Sequence, residues 1–110
     1  MVNNYVPDVG DIVWLDFDPQ TGREQAGNRP AIVLSPQAYN RTSLMICCPI
    51  TTKIKGYPFE VAIAGKIPNV VLCDQIKSLD WRARNAQLKG RASPSEIDEI
   101  KEKIAVLLNI

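Results

Sequence analysis

Apolar and polar residues alternate over short runs along most of the chain, and this period of two predicts β-strands. The first run, residues 11–18, places Val13, Leu15 and Phe17 on one face. Further strands are predicted at residues 30–35, 44–50, 57–63, 70–75 and 87–91. Five to seven short strands, with no helices between them, predict a mainly β (α+β) fold, a small antiparallel barrel or sandwich.

One helix is predicted, at the end of the chain. Ser93 is a typical N-cap, Pro94 suits the first helical position, and Glu96 can reach back to the cap to complete a capping box. Apolar residues then recur at steps of three and four, at Ile97, Ile100, Ile104 and Leu107. This spacing predicts an amphipathic helix that lays one apolar stripe on the sheet.

Length and composition fit a single globular domain over residues 1–110, with 45% hydrophobic and 23% charged residues. No apolar run approaches the roughly 18 residues of a membrane span, and the first residues lack the features of a signal peptide. A cytoplasmic location is therefore expected. Three cysteines without framework spacing are interpreted as small core residues, and with no histidine in the chain a structural metal is not expected.

The net charge of +1 argues against binding of nucleic acid by bulk electrostatics. Its distribution is uneven, because residues 61–92 carry six Lys or Arg and two Asp or Glu. These basic residues are either available to an anionic partner or part of a balanced, solvated surface.

Three polar segments could carry chemistry. Residues 19–29 form a long loop ending in Arg29, whose neighbour Pro30 favours an extended backbone. A guanidinium anchored at a strand entrance can grip a phosphate, but it can equally pair with Glu24 at the surface. Residues 51–56 offer two hydroxyls and two lysines, and residues 73–77 a carboxylate, an amide and a lysine. Each of these two segments can also be an ordinary strand end.

Several motifs occur together in a specific order: Val9-Gly-Asp-Ile-Val-Trp-Leu-Asp-Phe-Asp-Pro19, then Gly22-x-Glu24-Gln25-x-Gly27-x-Arg29-Pro30, then Pro49-x-Thr51 and Asp74-Gln75. In this order they closely resemble the MazF/PemK (Kid) family of toxin endoribonucleases. The resemblance covers nearly the whole chain and is greatest to the MazF branch, notably in Lys55-Gly-Tyr-Pro-Phe-Glu-Val61.

The resemblance implies a homodimeric SH3-like antiparallel barrel with a C-terminal α-helix. It also implies a toxin of a type II toxin–antitoxin system that cleaves single-stranded mRNA at short sequences without a metal or other cofactor. A MazE-like antitoxin, with a disordered acidic tail that covers the RNA groove, is the implied protein partner.

The resemblance also assigns roles to individual residues. Arg29 and Thr52 match the family's catalytic arginine and threonine, and Glu24 matches a loop acid needed for activity. Asp74 and Gln75 match positions in the RNA-binding or catalytic site. Residues expected to hold or read bases are Phe17, Asn28, Lys53 and Lys55, although Phe17 can equally belong to the core.

Proton transfer has to proceed without imidazole in this chain. Glu24 is the first candidate for the general base and Asp74 the second, and either needs a raised pKa or a close approach to the ribose 2'-OH. Two other functions remain open: a CcdB-like gyrase poison on the same fold, or a non-catalytic SH3-like binding module.

Overall fold

The computed structural model describes residues 4–17 and 27–110 of the chain. Their elements are β1 (Asp11–Asp16), β2 (Asn28–Val33), α1 (Gln37–Asn40), β3 (Leu44–Thr51), β4 (Glu60–Ile63), β5 (Asn69–Leu72), β6 (Lys77–Asp80), β7 (Gln87–Arg91) and α2 (Pro94–Leu108). Among these residues, no helix has both the length and the apolar character needed to cross a bilayer.

The seven strands form one antiparallel sheet in the order β4-β5-β3-β2-β1-β7, and β6 also pairs with β3. Strand β3 changes partner along its length: Leu44 to Cys47 pair with β6, Cys47 to Pro49 with β2, and Ile50 and Thr51 with β5. Because one strand serves three partners, the sheet curls into a half-barrel. The predicted fold, an antiparallel barrel-like sheet with a C-terminal helix, is confirmed.

The sheet is covered on both faces. Val13, Leu15 and Phe17 of the first run belong to one buried cluster, which Trp81 closes. On the opposite face, Ile100 of α2 is fully buried in a second cluster. The other buried members of the second cluster are Ile32, Cys48, Ile50, Val61, Ile63, Val71, Cys73 and Ala92.

The C-terminal helix begins as the sequence predicts. The Ser93 hydroxyl accepts a hydrogen bond from the Glu96 amide, and the Glu96 carboxylate accepts one from the Ser93 amide, which completes the capping box. The predicted apolar stripe is wrong at its last position. Leu107 is 47% exposed, whereas Ile97, Ile100 and Ile104 pack in or against the second cluster.

Two elements are absent from the sequence prediction. The four residues of α1 are too few to show a helical period, and their one buried residue is the polar Asn40. Strand β6 has only one buried apolar residue, Leu79, so it shows no clear alternation. Both are stabilised by long-range contacts rather than by local pattern.

The three cysteines are free and buried, as the sequence predicts. Cys47 belongs to the first cluster, whereas Cys48 and Cys73 belong to the second, so the adjacent pair points to opposite faces of the sheet. Burial raises the pKa of the Cys47 thiol to about 12 and that of Cys73 to about 11. All three are therefore held as neutral core thiols at neutral pH.

Candidate functional site

A groove of about 470 Å³ lies on the part of the sheet formed by β3, β4 and β5. Four of the residues predicted to bind RNA line this groove: Lys53, Lys55, Asp74 and Gln75. Its other lining residues are Thr51, Tyr57, Phe59, Glu60 and Leu72. The structure thus brings together two segments that are about 20 residues apart in sequence.

Strand pairing explains why these residues meet. Thr51 of β3 pairs with Val70 of β5, and Leu72 of β5 pairs with Glu60 of β4. Because side chains alternate between faces, Thr51, Leu72 and Glu60 lie on the face opposite the second buried cluster. The loops that follow β3 and β5 then place their polar residues at the rim.

Arg29 lies on the same face of the sheet, on the neighbouring strand. Arg29 pairs with Leu15 of the first buried cluster. It is also two residues from Ala31, another member of that cluster, so both side chains lie on the same face of β2. The β2–β3 register ends at the Ala31–Pro49 pair, and extending it by two residues brings Arg29 level with Thr51. Arg29 therefore lies on a strand, on the same face of the sheet as Thr51, although it is not among the residues that line the groove.

The two adjacent threonines have different environments. Thr51 is 3% exposed, and its hydroxyl accepts a hydrogen bond from the Lys53 amide at 3.1 Å. Thr52, the predicted catalytic threonine, is exposed, and its carbonyl accepts the Ile54 amide. Thr51 therefore shapes the turn after β3, while the Thr52 side chain is open to a ligand.

Glu60 holds the loop between β3 and β4. Its carboxylate accepts hydrogen bonds from the Gly56 amide at 2.9 Å and from the Lys55 amide at 3.2 and 3.3 Å. Gly56 has a φ of +79°, a left-handed conformation that favours glycine. The backbone beside Lys55 is thereby fixed at the mouth of the groove.

Sequence reasoning missed the aromatic residues of this groove. Tyr57 and Phe59 have ring centroids 5.2 Å apart and line it together. The available signal in the sequence was a pair of aromatic residues, two positions apart, directly after Lys55-Gly56.

The prediction that Phe17 stacks on a base is wrong. Its side chain is 0% exposed and belongs to the first buried cluster, so its ring offers no face to a ligand. The alternative given above, that Phe17 continues the Val13 and Leu15 face, is the one observed.

Asn28 does not line the groove. It is exposed at the start of β2 and contributes to a separate concavity beside Trp14, Asp16 and Arg84. Asn28 pairs with Asp16 across β1 and β2, and this pair lies on the face of the sheet opposite the Leu15–Arg29 pair. Glu24, the predicted loop acid, lies outside the described residues.

The basic residues of the middle segment have other contacts. Arg91 forms an ion pair with buried Asp11 at 2.8 Å, Arg84 donates to the Asp16 carbonyl at 2.8 Å, and Arg82 lies over the Trp81 ring at 4.3 Å. The lysines that line the groove, Lys53 and Lys55, come instead from the acidic first part of the chain. In residues 4–17 and 27–110, no three His, Cys, Asp or Glu side chains are grouped so that they could hold a metal ion.

Comparison with known proteins identifies the family. A sequence model described as "PemK-like, MazF-like toxin of type II toxin-antitoxin system" matches residues 8–108. The endoribonuclease toxin MazF of Escherichia coli strain K12 is 56% identical over 110 residues, which cover 98% of this chain and 99% of that protein.

Solved structures agree with this result. A crystal structure of MazF from Deinococcus radiodurans has a TM-score of 0.92 and 49% identity, covering 97% of this chain and 100% of that one. A chain in a MazE–MazF crystal structure from the same organism has a TM-score of 0.87 and 49% identity, covering 97% and 99%.

These findings favour the toxin endoribonuclease over the gyrase poison and the binding module considered above, and they confirm the resemblance and the enzyme class predicted from the sequence. The chain belongs to the PemK-like, MazF-like family of toxins of type II toxin–antitoxin systems.

Proposed function

We propose that this chain, an endoribonuclease of that family, cleaves single-stranded mRNA at specific short sequences without a metal. The ribose 2'-OH loses its proton and attacks the adjacent phosphorus, the bond from phosphorus to the 5'-oxygen breaks, and that oxygen takes up a proton. The products carry a 2',3'-cyclic phosphate and a 5'-OH, and the loss of mRNA stops translation and growth. The supporting observation is the groove that Lys53, Lys55 and Gln75 line from the loops after β3 and β5, on the face of the sheet that also carries Arg29.

The groove suits a single strand of RNA. Its lysines can follow a phosphate backbone, and its aromatic and amide side chains can contact unstacked bases. Paired bases are stacked inside a helix, where such side chains do not reach them. A single-stranded substrate follows.

Arg29 stabilises the negative charge that develops on the phosphoryl oxygens. Attack by the 2'-OH creates a pentavalent phosphorane with additional negative charge, and a guanidinium on a rigid strand meets that charge without having to reorganise. The exposed Thr52 hydroxyl donates a second hydrogen bond. Removing one such donor typically lowers the rate by about 10² to 10³.

Carboxylates are the candidates for proton transfer, because the chain has no histidine. Glu24 is proposed as the general base on the family match, and Asp74, exposed at the groove, is the second candidate. Asn28 carries no titratable proton, and its proposed role in RNA binding places it in the separate concavity beside Trp14 rather than in the groove. Mutation separates the two acids: Glu24→Gln should abolish cleavage if Glu24 is the base, and Asp74→Asn should abolish it if Asp74 is.

The test is cleavage of a long single-stranded RNA in excess EDTA. We expect fragments whose 5' ends accept a label from polynucleotide kinase without phosphatase treatment, because they carry 5'-OH groups. Mapping these ends gives the recognised sequence. Arg29→Ala should lower the rate by at least about 100-fold, whereas Arg82→Ala, an exposed arginine outside the groove, should not. Intact RNA at micromolar protein would overturn the proposal, and cutting that stops in EDTA would overturn metal independence.

A MazE-like antitoxin is the proposed protein partner. The relative from Deinococcus radiodurans is described in a MazE–MazF complex. An acidic, disordered antitoxin tail would complement Lys53 and Lys55 and exclude RNA from the groove. We expect the antitoxin encoded beside this chain to inhibit cleavage, and the Lys53→Glu/Lys55→Glu double variant to weaken that inhibition. Unchanged inhibition of the double variant would place the tail elsewhere.

A homodimer is proposed through an apolar face beside α2. This face is a concavity of about 410 Å³ lined almost entirely by aliphatic side chains, with Leu108 57% and Ile110 88% exposed. Contiguous exposed apolar surface of this kind typically marks a protein interface. Sedimentation velocity should show a dimer, and Leu108→Lys should shift it to monomer. A wild-type monomer at micromolar concentration would contradict the assignment.

A further inference from the structure

Two aromatic rings form a shelf at the rim of the groove. Tyr57 and Phe59 are 5.2 Å apart between ring centroids, with 33° between their planes. Tyr57 is 50% exposed, while Phe59 is partly buried. An aromatic ring that served only packing would gain by full burial, since each buried apolar Å² contributes about 25 cal/mol. The Tyr57 ring instead keeps much of its surface open to solvent.

The backbone that carries these rings is tied down at several points. Glu60 accepts hydrogen bonds from the Lys55 and Gly56 amides on one side of Tyr57, and its own amide donates to the Tyr57 carbonyl at 3.1 Å. The Phe59 carbonyl accepts the Cys73 amide at 3.2 Å, which links the shelf to the turn that carries Asp74. The rings are therefore positioned before any ligand arrives, which lowers the entropic cost of binding.

The chemistry around the shelf points to a flat, partly polar ligand beside an anion. Lys55 precedes the shelf, and the Gln75 amide lines the same groove. An unpaired nucleobase attached to a phosphate fits this set: the base stacks on the ring, the phosphate meets the ammonium group, and the amide meets an edge of the base.

We propose that Tyr57, supported by Phe59, is the stacking platform for one unpaired base of the RNA, and that Glu60 is the positioning residue that holds this platform. The inference rests on the proposed function and deepens it. Stacking tolerates any base, because every base has a π-face. The platform therefore sets the register of the strand relative to the scissile phosphate, while polar neighbours select the sequence.

The test is a double-mutant cycle between protein and RNA. The oligonucleotides contain the mapped cleavage site with one 2'-deoxynucleotide at the nucleophilic position, so that they bind without being cut. Each member of the series lacks the base at one different position. Dissociation constants are measured by fluorescence anisotropy for wild type, Tyr57→Ala and Tyr57→Phe, with circular dichroism to verify folding.

We expect Tyr57→Ala to weaken binding of the intact oligonucleotide by roughly 5- to 150-fold, from the usual contribution of one stacked base. At one position, removing the base should weaken wild type by a similar factor and leave Tyr57→Ala unchanged. Tyr57→Phe keeps the ring and should behave as wild type. Tyr39→Ala removes a tyrosine of similar exposure outside the groove and should also bind as wild type.

Glu60 has its own expected signature. Glu60→Gln keeps the shape of the side chain but is a weaker acceptor for the two loop amides. Glu60→Gln should raise KM for cleavage with a smaller change in kcat. With the oligonucleotide that lacks the stacked base, Glu60→Gln and wild type should bind equally well. Glu60→Asp, which retains the charge, should recover part of the affinity.

Each outcome decides the proposal. Equal losses at every position, or no loss in Tyr57→Ala, would overturn the platform while cleavage by wild type leaves the proposed function standing. A Tyr57→Ala variant that loses antitoxin binding but not RNA binding would assign the ring to the protein partner and overturn the inference. If wild type neither binds nor cuts RNA, the proposed function fails, and the platform with it.

Discussion

Replacing Asn40 with alanine should destabilise the protein strongly, although this residue does not line the groove. Its side chain is 0% exposed. The Asn40 amide group donates to the Pro7 carbonyl at 2.8 Å and to the Ser35 carbonyl at 3.0 Å, while its Oδ1 accepts the Ser35 hydroxyl at 2.5 Å. One side chain thus joins the N-terminal segment, the end of β2 and α1.

The magnitude follows from the groups left without partners. Asn40→Ala removes the donors of two buried carbonyls and the acceptor of one buried hydroxyl, and each such loss costs about 1–3 kcal/mol. The Ile46 amide still donates to the Ser35 oxygen at 2.8 Å, but this bond leaves the Ser35 O–H without an acceptor. We expect a decrease of about 3–5 kcal/mol in the free energy of unfolding, a large share of the roughly 5–15 kcal/mol typical of a domain.

Urea unfolding at pH 7 provides the measurement. Trp81 is a suitable fluorescent reporter, because its indole N–H donates to the Asn40 carbonyl at 2.7 Å and its ring closes the first buried cluster. Asn4→Ala, the same truncation at an exposed position, is the control and should change the unfolding free energy by less than about 0.5 kcal/mol. RNA cleavage by Asn40→Ala should persist at temperatures where it remains folded.

A loss below about 1 kcal/mol for Asn40→Ala would refute this reasoning, since it would mean that water replaces all three hydrogen bonds. Ser35→Ala and the Ser35→Ala/Asn40→Ala double variant, together with Asn40→Ala and wild type, form a double-mutant cycle. Their coupling energy should be of the order of 1 kcal/mol, because the two side chains share a direct hydrogen bond. Additive losses would show that the network does not act as a unit.

Three further predictions concern the helix and the thiols. Ser93→Ala should lower the free energy of unfolding by about 1 kcal/mol in urea titrations because it removes the helix cap, and no change would show that the capping box is not stabilising. The Ser93 and Ala64 amides hold the pKa of the Glu96 carboxyl below its ordinary range, so its contribution to stability is present above about pH 4.5 and is lost as the pH falls through the lowered value. The Tm of wild type should accordingly fall more steeply than that of Glu96→Gln below about pH 4.5, and parallel curves would contradict this. Burial and the raised pKa values of Cys47, Cys48 and Cys73 should make all three thiols slow to react with a disulfide reagent at pH 8, and fast only in denaturant; rapid reaction in the native state would contradict their position in the core.

Local patterns accounted for much of this fold. The alternation of Val13, Leu15 and Phe17 placed all three on one buried face, and the capping box at Ser93 located the start of the last helix. Such patterns can be interpreted directly because they depend on the 2-residue and 3.6-residue periods of the backbone itself. Where a segment is short and nearly polar, as in α1 and β6, the period is missing and prediction failed.

The candidate site was predicted in part. Family resemblance selected Asp74 and Gln75, the two cations of the loop after β3 selected Lys53 and Lys55, and all four line one groove. Phe17 was misplaced because one strand pattern serves equally for a core residue and for a residue at the rim of a sheet, and only its depth in the packed cluster separates the two. The roles of Arg29, Thr52 and Glu24 remain predictions.

By itself, the sequence determined the strand-rich class, the C-terminal helix, the buried state of the cysteines and the family. Only the tertiary structure decided that the loop after β3 meets the turn after β5, that Glu60 fixes the Lys55–Gly56 backbone, and that Tyr57 stands exposed beside the groove. The reason is physical. Alternation is a property of neighbouring residues, whereas the register between distant strands, and the groove it creates, depends on how both faces of the whole sheet are packed.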